Sequence, residues 1–178
     1  MTLFLVRHGR PLVDTSMPAH TWELDPQGYD DIWALRESGR LPARAAWFSS
    51  PEPKAIGTAA LLTDSQVGVI DDLAEHRRDS TDWIDDFDDF DATVRRAFAE
   101  PDVPAYDGWE PLAECRCRVV AAVRPVVATL GEDDVVLVGH GTAWTVLVAE
   151  LTDAEPDLDA WQALAMPDLI RLDEPFAT

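Results

Sequence analysis

Leu3-Phe4-Leu5-Val6-Arg7-His8-Gly9 and Val135-Val136-Leu137-Val138-Gly139-His140-Gly141 share one form: an apolar run, partly β-branched, that gives way to a histidine followed by a glycine. Short continuous runs of this kind, here Leu3 to Val6 and Val135 to Val138, read as strands buried on both faces. Such strands belong to a parallel sheet covered by helices. Ligands of open α/β sheets bind outside the carboxyl ends of the strands, so two parallel strands would deliver both imidazoles to one crevice. The glycine after each histidine lets backbone approach a ligand closely.

Outward from this pair, Ala46 to Ser49 is a third strand, and Val67 to Ile70 and Leu169 to Leu172 are shorter candidates bounded by acidic residues or proline. Helical patterns separate them. Leu112, Cys115, Val119, Val123, Val126 and Leu130 recur at steps of three and four between Glu110 and Leu130, with Gly131 as the stop. Pro125 inside that pattern removes a backbone donor and predicts a kink or a break. A helix from Pro51 to Leu62 would be capped by Ser50, another would span Pro26 to Ser38 before Gly39, and a further one begins after Gly141. Strands alternating with helices predict an α/β three-layer sandwich, a mostly parallel central sheet flanked by helices with right-handed crossovers.

The chain of 178 residues fits one domain, 1–178, and 47% hydrophobic residues supply a full core. A formal net charge of −20 repels nucleic acid backbones and anionic lipid surfaces. Half of that charge lies between Asp71 and Glu110, where fourteen Asp and Glu accompany four Arg. Trp83, Phe87, Phe90 and Phe98 within this stretch predict a small acidic helical insertion, at about 79–109, over the C-terminal edge of the sheet. Cys115 and Cys117 are too few for a disulfide framework or a structural zinc site, and no run of 18 apolar residues occurs. We therefore expect a cytoplasmic protein.

Lys54, the only lysine, falls in the first turn of the helix after Ser50, where the macrodipole opposes a cation unless an anion shares the site. Arg7 adds a cation beside His8. Together they predict a compact positive pocket suited to a small phosphoryl group.

These residues carry a family resemblance. Leu5-Val6-Arg7-His8-Gly9 resembles the R-H-G signature of the histidine phosphatase superfamily, the phosphoglycerate-mutase-like fold. Ser49-Ser50-Pro51-Glu52-Pro53-Lys54-Ala55-Ile56-Gly57-Thr58-Ala59 is similar to its second element, Leu73-Ala74-Glu75 to its Leu-x-Glu element, and Val138-Gly139-His140-Gly141 to its second histidine motif. Leu24-Asp25-Pro26-Gln27-Gly28 and Gly108-Trp109-Glu110-Pro111 resemble the turns that lie between these motifs. All stand in family order between residues 3 and 141.

The resemblance implies that His8 attacks phosphorus as a neutral imidazole, with its other nitrogen donating to backbone. Arg7, Lys54 and His140 would hold the phosphoryl oxygens, with Gly141 beside them, and no metal or other cofactor is then required. Glu75 would protonate the leaving oxygen, which asks for a raised pKa. The family's usual arginine is Lys54 here, and Arg10 after His8-Gly9 is either a further phosphate ligand or a surface residue. His20, Trp22, His76, Arg77 and Arg78 lie in loops near the crevice or in the insertion and read as ordinary surface residues, with Arg78 the foremost exception as a residue that selects the substrate's organic part. The implied activity is hydrolysis of a small phosphorylated metabolite through a phosphohistidine. A mutase and a non-catalytic phosphate-binding or interaction module are the alternatives.

Overall fold

A computed structural model describes residues 1–79, 82–131 and 133–177. Ser80 and Thr81, in the acidic segment, lie outside the described residues. Strands β1 (Thr2–Arg7), β2 (Ala46–Ser49), β3 (Val67–Val69), β4 (Val135–Gly139) and β5 (Asp168–Asp173) form one sheet in the order β3-β2-β4-β1-β5. All neighbouring pairs are parallel except β1 with β5. Helices α1 (Tyr29–Glu37), α2 (Pro53–Leu62), α3 (Phe87–Ala99), α4 (Leu112–Leu130), α5 (Gly141–Thr152) and α6 (Leu158–Ala163) complete the fold.

The period of two along β1 and β4 splits the core between two layers. Leu3, Leu5, Val135 and Leu137 join Val119 and Val123 of α4, Trp144 and Leu147 of α5, and Val94 and Ala97 of α3. Phe4, Val6, Val136 and Val138 join Ile32 and Leu35 of α1 and Ala55, Ala59 and Leu62 of α2 on the other face. Strands buried on both faces account for the unbroken apolar runs. The acidic segment is tied down in the same way: the Asp86 carboxylate accepts from the Asp88 and Asp89 N–H groups at the start of α3, whose apolar face enters the first core.

Two helix expectations change. Helix α2 starts at Pro53, not Pro51, because Pro53 holds Glu52 extended (φ −71°, ψ 135°) and itself fits the first helical position. Ser50, expected as a cap, is thereby free for the site. Helix α4 runs unbroken through Pro125, which lies on its exposed face, so the carbonyl left without an N–H partner is on the solvent side. Cys115 is buried in the core and Cys117 is exposed, both unpaired. No helix among the described residues is long and apolar enough to cross a membrane.

Candidate active site

Three adjacent parallel strands deliver three polar residues to one place. The His8 N–H donates to the Gly139 carbonyl at 2.8 Å and the Ser50 N–H to the Val138 carbonyl at 2.9 Å. These bonds extend the ladders of β1 and β2 with β4, so His8, Ser50 and His140 lie side by side at the strand ends. The His8 and His140 rings stand 5.1 Å apart, edge to face. Gly139 is required by the packing beneath: a Cβ there would lie 2.5 Å from the Trp144 ring, whose Nε1 donates to the Val6 carbonyl at 2.9 Å.

His8 is buried, and its Nδ1 lies 2.6 Å from the Gly9 carbonyl. A carbonyl only accepts, so Nδ1 carries the proton and Nε2 keeps its lone pair. No protein group among the described residues is hydrogen-bonded to that Nε2. Burial first, then His140 and Lys54, hold the His8 pKa well below its ordinary value, and the ring is neutral. The Gly9 N–H donates to Thr58 Oγ1 at 2.9 Å, which fastens the loop after β1 to α2.

His140 is wholly buried, and its pKa is lowered to about 3, chiefly by burial, against the attraction of Glu75. Its Nε2 is 2.7 Å from Ser50 Oγ and 3.4 Å from Glu52 Oε1. The Ser50 hydroxyl also accepts the Glu52 N–H at 3.3 Å. A Ser50 hydroxyl that donates to Nε2 would place the His140 proton on Nδ1, a buried atom with no hydrogen-bond partner among the described residues.

The other expected residues divide. Arg7 is mostly buried, its Nη1 donating to the Leu164 carbonyl at 2.5 Å and its Nε left without an acceptor. Gly141, in the first turn of α5, lies beside that guanidinium, where a Cβ would make only ordinary contact, 3.4 Å from Arg7 Nε. Lys54 points inward, is almost fully buried, pairs with Glu52 and donates to the Ala19 carbonyl at 2.7 Å. Arg10 is not brought to the site: its side chain is mostly exposed, pairs with Asp25 at 2.9 Å and does not line the cavity. Glu110 is structural, bonded to Arg118 and accepting the Arg77 N–H.

Glu75 corrects an expectation. A raised pKa was expected, and it is instead lowered to about 2. Burial pushes it up, but His140, Arg78 and hydrogen bonds from the His76 and Thr142 N–H groups outweigh burial. The carboxylate lies on the N-terminus of α5, 3.1 Å from the Thr142 N and 2.9 Å from the Ala143 N, a position that favours negative charge.

One partner was not foreseen, and another, named only as a loop candidate for substrate selection, lines the same cavity. Glu52 had no assigned role, yet it is buried, pairs with Lys54, accepts the Glu75 N–H at 2.7 Å and faces His140. Its signal was an acid two residues before the only lysine. Arg78, placed in a loop, supplies a further cation: its guanidinium lies 4.4 Å from the Trp109 ring and 5.0 Å from the Phe90 ring, with Nε lacking an acceptor.

Arg7, Arg78 and His140 all line a cavity of about 1070 Å³, together with His8, Lys54 and Glu75. Each holds one buried nitrogen with no hydrogen-bond partner among the described residues, an arrangement that suits a multiply charged oxyanion.

Comparison with known proteins agrees with this architecture. A mycobacterial glucosyl-3-phosphoglycerate phosphatase complexed with VO3 is 27% identical with a TM-score of 0.73, covering 97% of this chain and 92% of its own. A phosphoserine phosphatase of Entamoeba histolytica (19% identity, TM-score 0.72, 96% and 89% covered) shares the fold. So does a phosphoglycerate mutase of Bacillus anthracis (19%, 0.73, 96% and 86%). No curated protein sequence matches. The model of the histidine phosphatase superfamily, branch 1, matches residues 3–170, and the chain belongs to that family.

Proposed function

We propose that the protein is a phosphomonoesterase that hydrolyses a small phosphorylated metabolite through a phosphohistidine on His8. The observation that carries this reading is the His8 ring itself: Nδ1 donates to the Gly9 carbonyl, and Nε2 keeps its lone pair beside His140. The mycobacterial relative at 27% identity, a phosphatase, supports it.

His8 Nε2 attacks phosphorus, an N–P bond forms, and the ester P–O bond breaks with its electron pair on the leaving oxygen. Arg7, Lys54, Arg78 and His140 bind the three equatorial oxygens, with Gly141 beside Arg7 at the start of α5. Glu75 gives its proton to the leaving alcohol and then takes one from the water that cleaves the N–P bond. In the free protein Glu75 is ionised. A phosphoryl dianion seated among the cations screens their pull and repels the carboxylate, so Glu75 gains its proton as substrate binds. Cytoplasmic placement fits the two unpaired cysteines, and the −20 charge disfavours nucleic acid partners.

The test is release of inorganic phosphate from a panel of phosphomonoesters, with chelator present, by the wild-type chain and by His8→Ala. Turnover that persists with chelator and disappears in the variant supports the proposal. Isomerised product without phosphate release would make the protein a mutase, and no reaction with any ester would leave a binding module.

A further inference from the structure

The cavity is far larger than a phosphoryl group needs. Beyond the polar site it is walled by aromatic side chains, of which Phe90 and Trp109 also flank the Arg78 guanidinium. Trp22, from the loop after β1, stands 5.2 Å from Trp83, just before α3. Phe90 of α3 stands 6.1 Å from Trp109 and 6.3 Å from Trp161 of α6. Trp83 is 43% exposed and Phe87 62% exposed, and both line the cavity. So do Val13, Met17 and Met166, so that five of the eleven exposed large apolar side chains among the described residues gather at this mouth. Concentrated exposed apolar surface continuous with a polar site marks a ligand surface.

Charge narrows the ligand. Among the described residues, beyond Arg7, Lys54 and Arg78 with Glu52 and Glu75, the lining adds one arginine, Arg77, against four aspartates: Asp71, Asp79, Asp82 and Asp85. A second anionic group on the substrate would meet a net negative rim, and an uncharged ring would meet aromatic faces.

We propose that this chamber selects phosphomonoesters whose organic part is bulky, aromatic and uncharged, and discriminates against esters that carry a carboxylate. The proposal rests on the phosphatase reading above for its setting but concerns a different part of the cavity.

The experiment compares kcat/KM for ethyl, phenylpropyl and naphthylethyl phosphate and for 3-phosphoglycerate, all esters of alkyl alcohols, so that leaving-group acidity stays comparable. The two arylalkyl esters are expected to exceed ethyl phosphate and 3-phosphoglycerate by roughly tenfold or more, as burial of a ring implies. Trp83→Ala is expected to reduce the naphthylethyl-to-ethyl ratio at least fivefold. Equal values across the series, or a preference for 3-phosphoglycerate, overturns the proposal, as does an unchanged ratio in the variant. If no ester is hydrolysed the phosphatase reading fails by itself. Titration calorimetry with naphthylethyl and ethyl phosphonate then decides the chamber: binding of the aryl compound at least tenfold tighter upholds it, and equal binding overturns it.

Discussion

Glu52 and Lys54 form an ion pair at a depth where their side chains are 5% and 6% exposed. The only lysine of the chain is therefore already matched by a carboxylate within the cavity that it lines. Under the proposed function, an incoming phosphoryl group would share Lys54 with Glu52 and meet less net positive charge.

Glu52→Gln leaves Lys54 buried without its counter-ion, and breaking a buried pair from one side costs about 3–5 kcal/mol. For a chain of this size that corresponds to roughly 6–12 °C in Tm. Thermal melts with and without millimolar phosphate check the role of the pair. The variant is expected to be destabilised without phosphate and to regain more from it than the wild type does. Equal phosphate stabilisation of both would mean that Lys54 does not face the anion.

His140 makes stability depend on acid. Its folded pKa, about 3, lies below the ordinary 6.5, so the unfolded chain binds the extra proton. Stability from keeping this ring neutral is complete above pH 6.5 and is lost as pH falls toward 3. His8, shifted the same way, adds to that slope. Denaturant unfolding of the wild type and His140→Asn at a series of pH values is expected to show a shallower decline in the variant between pH 6.5 and 5.

The fold was legible because β1 and β4 are buried on both faces, so their apolar runs are uninterrupted and end in matching histidines. The meeting of His8 and His140 in one crevice was legible for the same reason. Arg10 was misleading because adjacency in sequence to His8-Gly9 says nothing of direction: the chain turns outward there and Asp25 takes the guanidinium. Glu75 lies in the cavity, but its ionisation was not legible, since the start of α5 and His140, which help hold it anionic, arrive from a distant segment. Glu52 was hidden by its place in a proline-flanked turn, and only the fold of β2 against β4 brings it to His140.

Arg78 combines a stacked guanidinium with an unused Nε. Arg78→Lys keeps the charge and loses both the planar stack and the fork. Its KM for a phosphomonoester is expected to rise roughly tenfold or more, in line with the loss of a charge-assisted hydrogen bond, with a far-UV spectrum like that of the wild type. An unchanged KM would confine Arg78 to packing Trp109 and Phe90.

Ser50 tests whether the tautomer of His140 matters. Ser50→Ala removes the group 2.7 Å from Nε2 and leaves Glu52 as the nearest partner, which would draw the proton to Nε2 and away from Nδ1. If Nδ1–H donates to the phosphoryl oxygens, kcat/KM falls about fivefold or more, the equivalent of one hydrogen bond. Ser50→Thr, which retains the hydroxyl, is expected to recover part of that loss.

Glu75 poses the sharpest chemical question, because a group with a pKa of about 2 is a poor acid reservoir at neutral pH. Its depression makes it a stabilising carboxylate: that contribution is present above its ordinary 4.5 and lost as pH falls toward 2. To act as an acid it must gain its proton when the phosphoryl group arrives. Two measurements separate that role from a purely structural one. Glu75→Gln is expected to lower kcat on alkyl phosphates by about 10²–10⁴ and much less on p-nitrophenyl phosphate, whose phenolate leaves without a proton. Phosphate binding followed by calorimetry near pH 7 in buffers of different ionisation enthalpy is expected to show more proton uptake in the wild type than in Glu75→Gln. Equal losses on both esters, with equal proton uptake, would leave Glu75 as an anchor for the start of α5 and require another source for the leaving-group proton.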